Sequence, residues 1–347
     1  MTIYFLTPDY NTPSGGVQII YRHVDILNAN HIPAFVLHRT MDHRCSWFEN
    51  QTPVAYWDHS VQRRAYFKLR KYLQPNRQRE IYLRGSKSSV IGPNDFLVLP
   101  EIYGPELAEI GPNVPKVILN QGCYLTFQGY PLDSKPIVPP YGHKDVKGVL
   151  INSEDGLRYL RYVFPNQAVT RFHLSIDPAI FFYQREKKRQ ICYTPRKNEL
   201  VVRQVVNILK ARNALKDFEL LPFSELPHAK VAKLMQESAI FLNFGQYEGF
   251  GLPPAEAMAC GCITVGYHAG GGQEFMKPKF SFPVPCGDVL SYVRTIENII
   301  DTYDQEPERY SAMGKAASDY VLGTYTQQRE TEDIVGFWRN MLKGRLS

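Results

Sequence analysis

Short apolar runs alternate along the chain with longer stretches in which hydrophobic positions recur every three to four residues. Apolar runs bounded by polar turns are typical of buried strands, and the periodic stretches are typical of helices packed on a sheet. The pattern predicts strands at residues 3–7, 34–38, 96–100, 117–120, 149–152, 190–194, 217–221, 239–244 and 262–267. It predicts helices at residues 17–30, 199–211, 229–237 and 327–342.

This alternation predicts parallel sheets, and its repetition in both halves predicts an α/β protein of two doubly wound, Rossmann-like domains. A proline-rich stretch at residues 131–140 is predicted to be a surface loop, and residues 175–178 a linker, so we place the domain boundary near Asp177. Ligands of such sheets bind at the carboxyl ends of the strands. We therefore expect two domains that face one interdomain cleft.

The chain has 347 residues, of which 44% are hydrophobic, as in ordinary folded proteins. No apolar run is long enough to span a bilayer, and the N-terminus begins with a strand-like segment instead of a basic leader. The six cysteines are scattered without the spacing of a disulfide framework, which agrees with a reducing compartment. We therefore expect a cytoplasmic protein.

The formal net charge of +6 is unevenly distributed. Residues 61–90 contain nine lysines and arginines and a single glutamate. Projection of residues 61–73 onto a helix puts the apolar side chains on one face and most basic side chains on the other. Such a helix has either a solvated outer face or a contact with anionic lipid headgroups or an acidic lipid-linked acceptor, at about 1 kcal/mol per basic residue near the surface. Nucleic acid is not expected as a partner, because the segment carries no nucleic-acid motif.

The most informative motif is the segment 247–261, where two carboxylates bracket a glycine-rich turn and the helix that follows. Two successive prolines at 253–254 suit the first turn of a helix, where a missing N–H donor is no loss. The turn directs the backbone N–H groups near Gly251, with the helix's partial positive charge of ~0.5, toward an anion. A diphosphate fits this place, and Glu248 and Glu256 would then meet other parts of one extended ligand.

The two glutamates, with seven residues between them around Gly-Phe-Gly-Leu, resemble the donor-site motif of retaining glycosyltransferases of family 4, which have the GT-B fold. The resemblance implies that Glu256 binds the ribose hydroxyls of a nucleotide sugar and that Glu248 faces the transferred sugar. It also implies that the backbone of Phe250, Gly251 and Leu252 contacts the sugar and the phosphates.

The same resemblance implies a domain organisation. Residues 1–176 would form an acceptor-binding domain and residues 177–326 a domain that binds the nucleotide sugar. Residues 327–347 would form a final helix that packs back on the N-terminal domain.

Two further turns contain residues that could bind the phosphates of the nucleotide sugar. Gly15 and Gly16 follow the first strand, where glycine lets the backbone approach a ligand closely, and the resemblance places the matching turn near the phosphates and the acceptor. Arg196 and Lys197 follow the first strand of the second half and could neutralise a diphosphate, at roughly 1.5 to 3 kcal/mol per charge-assisted contact. The resembling family has its lysine five residues after the arginine, where this chain has Val201, so we expect a shortened loop to restore the pair.

The corresponding strand end in the N-terminal half carries amides. Many enzymes of the resembling type have a histidine there, whereas this chain has Asn120 and Gln121. Amides bind sugar hydroxyls but are not general bases at neutral pH, so we expect both residues to contact the sugar or the acceptor. Glu274 lies in a glycine-rich loop that it is expected to cap or orient. The histidines interpreted as structural are His23, His38, His173 and His268.

The expected activity is transfer of a sugar from a nucleotide diphosphate donor to a hydroxyl of a glycan or lipid-linked acceptor, with retention of configuration. Glu248, Arg196 and Lys197 are the expected catalytic residues. No Asp-x-Asp motif and no His/Cys cluster with ligand spacing occurs, so neither a metal nor a cofactor is expected. Two alternatives remain open: a nucleotide-sugar epimerase of the same fold, and a non-catalytic homologue that serves as an interaction module.

Overall fold

The computed structural model describes residues 1–58, 81–86, 88, 90–133 and 135–343. The chain divides into two compact units. The N-terminal unit contains Met1–Asn152, Leu157–Phe172 and Thr331–Ser347, and the C-terminal unit contains Ser153–Gly156 and His173–Glu330. The main stretch of the C-terminal unit thus begins at His173, whereas the sequence predicts a boundary at Asp177.

The strands of the described residues are β1 (Ile3–Leu6), β2 (Ala34–His38), β3 (Val54–Trp57), β4 (Leu83–Arg84), β5 (Phe96–Pro100), β6 (Lys116–Asn120), β7 (Val146–Ile151), β8 (Val169–Arg171), β9 (Lys188–Tyr193), β10 (Glu219–Pro222), β11 (Ser238–Asn243), β12 (Ile263–Gly266) and β13 (Phe282–Pro283). The α-helices are α1 (Gly15–Ala29), α2 (Glu154–Val163), α3 (Glu199–Ala211), α4 (His228–Glu237), α5 (Leu252–Ala259), α6 (Val289–Thr302), α7 (Pro307–Thr324) and α8 (Gln327–Lys343).

Each unit is built on one sheet. In the N-terminal unit the strand order over the described residues is β4-β3-β2-β1-β5-β6-β7-β8, and all neighbours are parallel except β3 and β4. In the C-terminal unit the order is β10-β9-β11-β12-β13, with all neighbours parallel. The predicted fold class, two parallel-sheet α/β domains, is confirmed.

The central strands are buried along their whole length. Every residue of β1, β5 and β11 is buried, as expected for parallel strands covered by helices on both faces. Helix α8 contributes the fully buried Trp338 to the N-terminal unit. Its ring centroid lies 6.2 Å from that of Phe5 on β1 and 5.3 Å from that of Phe96 on β5.

All nine predicted strands are present, and so are the four predicted helices that lie within the described residues, with ends that differ by up to three residues. One difference affects the site, because α1 begins at Gly15. Gly15 and Gly16 therefore form the first helical turn and do not precede the helix. The elements that the pattern did not predict include the short strands β3, β4, β8 and β13, whose apolar runs are too brief to stand out from loops.

Part of the basic segment, residues 61–80, 87 and 89, lies outside the described residues, and so does the amphipathic helix predicted at residues 61–73. Over the described parts of the chain, no helix has the length and apolar character needed to cross a membrane. All six cysteines are free, and Cys286 is the exposed one.

Candidate functional site

The carboxyl edge of the C-terminal sheet brings together predicted donor residues of the C-terminal half of the chain. Strands β9 and β11 are direct neighbours although β10 lies between them in sequence. The strand order reverses at this pair, and doubly wound sheets bind ligands at such a switch point. Arg196 and Lys197 follow β9, and Glu248 follows β11. Residues from two distant parts of the sequence therefore meet at one sheet edge.

Lys197 and Glu248 form an ion pair between Nζ and Oε1. Their side chains are 32% and 25% exposed, so water shields the pair only partly. Arg196 is exposed and makes no ion pair with any described residue. Val201, the residue at the family spacing, is buried on α3. Lys197 is thus the lysine that this shorter turn brings to the sheet edge beside Arg196.

Asn198 determines the backbone conformation of the turn after β9. This residue lies in the left-handed region with φ 64°, which asparagine tolerates better than most residues, and it precedes the first residue of α3. The backbone reverses there directly after Lys197, which leaves Arg196 and Lys197 at the sheet edge.

A glycine-rich loop fixes the backbone of Glu248. The Glu248 N–H donates to the Ala269 carbonyl oxygen at 2.8 Å, and the Gly271 N–H donates to the Glu248 carbonyl oxygen at 3.1 Å. A Cβ atom at Gly271 would collide with the carbonyl oxygen of Gly249. Only glycine allows this close approach, so the loop holds the main chain of Glu248 in place.

The turn before α5 has the geometry of an anion-binding helix N-terminus. Gly251 has φ 93°, a left-handed conformation that glycine adopts without steric cost, and no side chain of the described residues caps the helix. Because the next two positions after Leu252 are prolines without N–H groups, the donors at this helix end are the amides of Gly251 and Leu252. The Phe250 ring packs against Phe275 and Tyr325, with centroids 5.1 and 5.0 Å away, so its backbone is the part available to a ligand.

Glu256 lies about one turn into α5 and is only 8% exposed. Its Oε1 is 3.2 Å from Nε2 of His228, the first residue of α4, whose side chain is 42% exposed. A ligand that reaches the Glu256 carboxylate would therefore meet His228 beside it. The sequence pattern did not identify His228, and the available signal was its place directly after Pro227 at a helix start.

Glu274 has structural contacts within the C-terminal unit. Its Oε1 accepts a hydrogen bond from the Tyr325 hydroxyl at 3.0 Å, and its carbonyl oxygen accepts one from the Tyr320 hydroxyl at 3.0 Å. Its Oε2 accepts the N–H of Glu154 at 3.2 Å. These contacts orient the glycine-rich loop, in agreement with the role expected for Glu274 from the sequence.

In the N-terminal unit the structure joins two predicted contact residues. The Gln121 Nε2 donates to the Gly16 carbonyl oxygen at 3.0 Å, and a Cβ atom at Gly16 would lie 3.4 Å from Gln121 Oε1. At that distance a Cβ atom would make an ordinary van der Waals contact, so the hydrogen bond does not require glycine, and the φ of Gly16 is not in the left-handed region. Asn120 is fully buried, and its amide donates to Tyr141 at 2.7 Å and Thr126 at 3.0 Å. Its side chain thus faces the protein interior, and Gln121 is the better placed of the two amides.

Glu101 contacts the backbone next to Gln121 and was not identified from the sequence, although it directly follows strand β5. It is 2% exposed, and its Oε2 has no hydrogen-bond partner among the described residues. Burial raises the pKa of the Glu101 carboxyl to about 7, although it accepts the backbone N–H groups of Gln121 and Gly122. The Asn152 Nδ2 donates to the Gln121 carbonyl oxygen at 3.1 Å. Gln121 is therefore held on both sides of its backbone.

A third cluster of the N-terminal unit contains Asp9, His38 and His43. Their potential ligand atoms all lie within 4.8 Å of one another. His38 already uses both ring nitrogens, since Nδ1 lies 2.7 Å from Asp9 Oδ1 and Nε2 lies 2.7 Å from the Tyr21 hydroxyl. This hydrogen-bonded chain gives the buried His38 structural contacts on both ring nitrogens.

Residues 202–319 match the family described as Glycosyl transferases group 1. An α-1,6-glucosyltransferase of Actinobacillus pleuropneumoniae serotype 7 (strain AP76) is 26% identical over 185 residues, which cover 50% of this chain and 52% of that protein. The chain thus matches about half the length of this relative.

Solved structures resemble the whole chain. Sucrose-phosphate synthase from Thermosynechococcus elongatus has a TM-score of 0.68 at 13% identity, and 99% of each chain is covered. A point mutant of TarM from S. aureus, in complex with fondaparinux, α-GlcNAc-glycerol and UDP, has a TM-score of 0.65 at 11% identity, with 99% of this chain and 100% of that chain covered. At this identity the likeness concerns the fold, which is that of GT-B glycosyltransferases.

Proposed function

We propose that the protein is a retaining glycosyltransferase that moves a sugar from a nucleotide diphosphate donor to a hydroxyl of a saccharide or lipid-linked acceptor. The observation that carries this proposal is the arrangement at the switch point of the C-terminal sheet. There Arg196, which pairs with no described residue, the Lys197–Glu248 ion pair and the uncapped α5 N-terminus lie at one sheet edge. The family match of residues 202–319 supports the same reaction class.

The proposed donor is a uridine diphosphate sugar, in line with the UDP bound to TarM. Arg196, Lys197 and the amides of Gly251 and Leu252 bind the diphosphate, and Glu256 binds the ribose hydroxyls next to His228. This would leave Glu248 facing the sugar.

In the proposed mechanism the positive charge around the diphosphate stabilises the leaving group, where negative charge grows in the transition state. Glu248 stabilises the developing positive charge of the sugar, and the leaving phosphate takes the proton of the acceptor hydroxyl on the same face. Because cations and amides supply the positive charge, the proposal needs neither metal nor cofactor. Contact of Gly15, Gly16 and Gln121 with phosphates or the acceptor stays a prediction.

The proposed setting is polysaccharide biosynthesis in the cytoplasm. Contact of the basic residues 61–90 with an anionic membrane surface stays a prediction.

A panel of nucleotide sugars, with binding followed by calorimetry and product anomers by NMR, tests the proposal. Arg196→Ala should weaken UDP binding and lower turnover, each by about tenfold or more, because a charge-assisted contact is lost. Glu248→Gln should lower turnover far more than UDP affinity, because Lys197 then remains available to the phosphates. Arg203→Ala serves as the control, since Arg203 lies on the exposed face of α3 paired with Glu199.

Several outcomes would contradict the proposal. Wild-type turnover in both site variants would remove the assigned roles, and an inverted product anomer would remove retention. A rearranged nucleotide sugar formed without acceptor would identify an epimerase. Absence of UDP binding would favour a non-catalytic interaction module.

A further inference from the structure

Arg39 is a cation held between two aromatic rings. It directly follows β2, and its guanidinium carbon lies 4.7 Å from the ring centroid of Tyr103 and 5.5 Å from that of Trp57. It makes no hydrogen bond or ion pair with a described residue, and its Nε is enclosed without a partner among them. Stacking on aromatic faces is a usual way to position an arginine while its fork of guanidinium N–H donors stays available to a ligand.

Two carboxylates that act electrostatically on Tyr103, those of Asp9 and Glu106, do not pair with Arg39. Asp9 is engaged by His38 Nδ1 at 2.7 Å and by the Thr40 N–H at 2.8 Å. Burial alone would raise the pKa of Asp9, but these hydrogen bonds lower it to about 2. Glu106 acts electrostatically on Tyr103 but makes no ion pair with Arg39. The positive charge of the guanidinium is thus not matched by a direct protein partner among the described residues.

The position of Arg39 in the fold is that of a ligand-binding residue. Arg39 follows β2, Trp57 ends β3 and Tyr103 lies just beyond β5, so all three are at the carboxyl edge of parallel strands. Strand β1 lies between β2 and β5, and the strand order reverses at β1 and β5, where such sheets bind ligands. Gly16 and Gln121, which follow β1 and β6, lie at the same edge.

We propose that Arg39, Trp57 and Tyr103 form an acceptor subsite for a sugar that carries an oxyanion, either a carboxylate or a phosphate. The guanidinium fork binds the two oxygens of the anion side by side, and the two aromatic rings that stack on the guanidinium hold the fork in place. That the bound sugar is the acceptor rests on the proposed function, whereas the binding of an anionic sugar at Arg39 does not.

Ligand-observed NMR titration of the full chain, in the presence of UDP, tests the subsite with three probes. Methyl glucoside is neutral, methyl glucuronide differs from it by the carboxylate, and glucose 6-phosphate supplies the phosphate. At least one charged probe should bind about tenfold or more tightly than the neutral one, as expected for a charge-assisted fork. Arg39→Gln should abolish this preference, and Arg39→Lys should retain only part of it. The control Arg203→Gln should leave the preference unchanged.

Equal binding of all three probes, or a preference that survives in Arg39→Gln, would overturn the subsite. If Arg39→Gln has a reduced melting temperature, the comparison is made with Arg39→Lys, which keeps the charge and changes only the fork. Preference for the glucuronide identifies a uronate, and preference for the sugar phosphate identifies a phosphate. Because UDP binding is measured separately, failure of the donor site leaves this test intact.

Discussion

At the scale of single residues, the partly buried Lys197–Glu248 pair illustrates how one contact serves two proposed roles. The ammonium orients the Glu248 carboxylate, and it can also bind a phosphate that lies within reach. Arg196 beside it has no such competing partner among the described residues. Arg196 can therefore bind a ligand phosphate directly, whereas Lys197 must first give up its contact with the Glu248 carboxylate. We therefore expect Arg196 to contribute more than Lys197 to nucleotide affinity.

Glu101 gives a prediction for the pH dependence of stability. Its pKa is raised from 4.5 in the unfolded chain to about 7 in the folded protein, so the folded state binds more protons between these values. The protonated Glu101 carboxyl contributes its full share to the free energy of unfolding below pH 4.5. This share is lost as the pH rises through 7 and the carboxyl ionises. The loss amounts to about 3 kcal/mol above pH 7. Glu101→Gln should therefore gain in melting temperature, relative to wild type, as the pH rises from about 5 to about 8.

The buried His23 provides the reason to compare the variant with wild type at each pH. Burial lowers the pKa of His23 to about 3, so its effect on stability has the opposite sign and is lost as the pH falls below 6.5. Because both proteins contain His23, its contribution cancels in the difference between the melting temperatures of Glu101→Gln and wild type. A difference in melting temperature that stays constant across the same pH range would show that Glu101 does not titrate there.

At the scale of elements, two helix glycines differ in what surrounds them. A Cβ atom at Gly314 on α7 would lie 2.5 Å from the carbonyl oxygen of Gly261, whereas a Cβ atom at Gly336 on α8 would have nothing within 4 Å among the described residues. The first glycine is required by the close approach of α7 to the turn after α5. The second is a weak point of its helix, because glycine costs conformational entropy there.

Alanine substitution at these two glycines should have opposite effects. Gly314→Ala should lower the free energy of unfolding by roughly 1 to 3 kcal/mol through overpacking. Gly336→Ala should raise it by roughly 0.5 to 1 kcal/mol, as for a glycine in an open helix position. Denaturant melts of both variants check the pair, and equal changes would mean that the approach to Gly261 does not limit α7.

At the scale of the whole molecule, the two units use the same architectural rule. Each places its candidate residues at the carboxyl edge of a parallel sheet, beside the point where the strand order reverses. The donor candidates Arg196, Lys197, Glu248 and Glu256 all belong to the C-terminal unit. Ligand binding is therefore expected to stabilise that unit first.

UDP should raise the melting temperature of the protein by mass action, with a stabilisation of about 2.7 kcal/mol at a concentration of about 100 times Kd. Hydrogen exchange should slow at residues 194–199 and 245–256, where the diphosphate contacts are proposed. Arg196→Ala, at equal UDP concentration, should reduce both effects. Protection confined to other segments would place the nucleotide elsewhere.

The positions of the strands and helices could be predicted from the sequence because they depend on local patterns. Buried parallel strands need continuous apolar runs, and the glycine–proline turn before α5 has few alternative conformations. The motif with Glu248 and Glu256 was visible for the same reason, since its residues lie on one short segment.

The contacts between distant residues depend on strand order, which no local pattern encodes. Lys197 meets Glu248 because β9 and β11 are neighbours, and Arg39 meets Tyr103 because both extend from strands that flank β1. The burial of Glu101 likewise depends on the loop after the neighbouring strand β6. Strand order results from how crossovers pack on the sheet as a whole, so these contacts emerge only when the chain is folded.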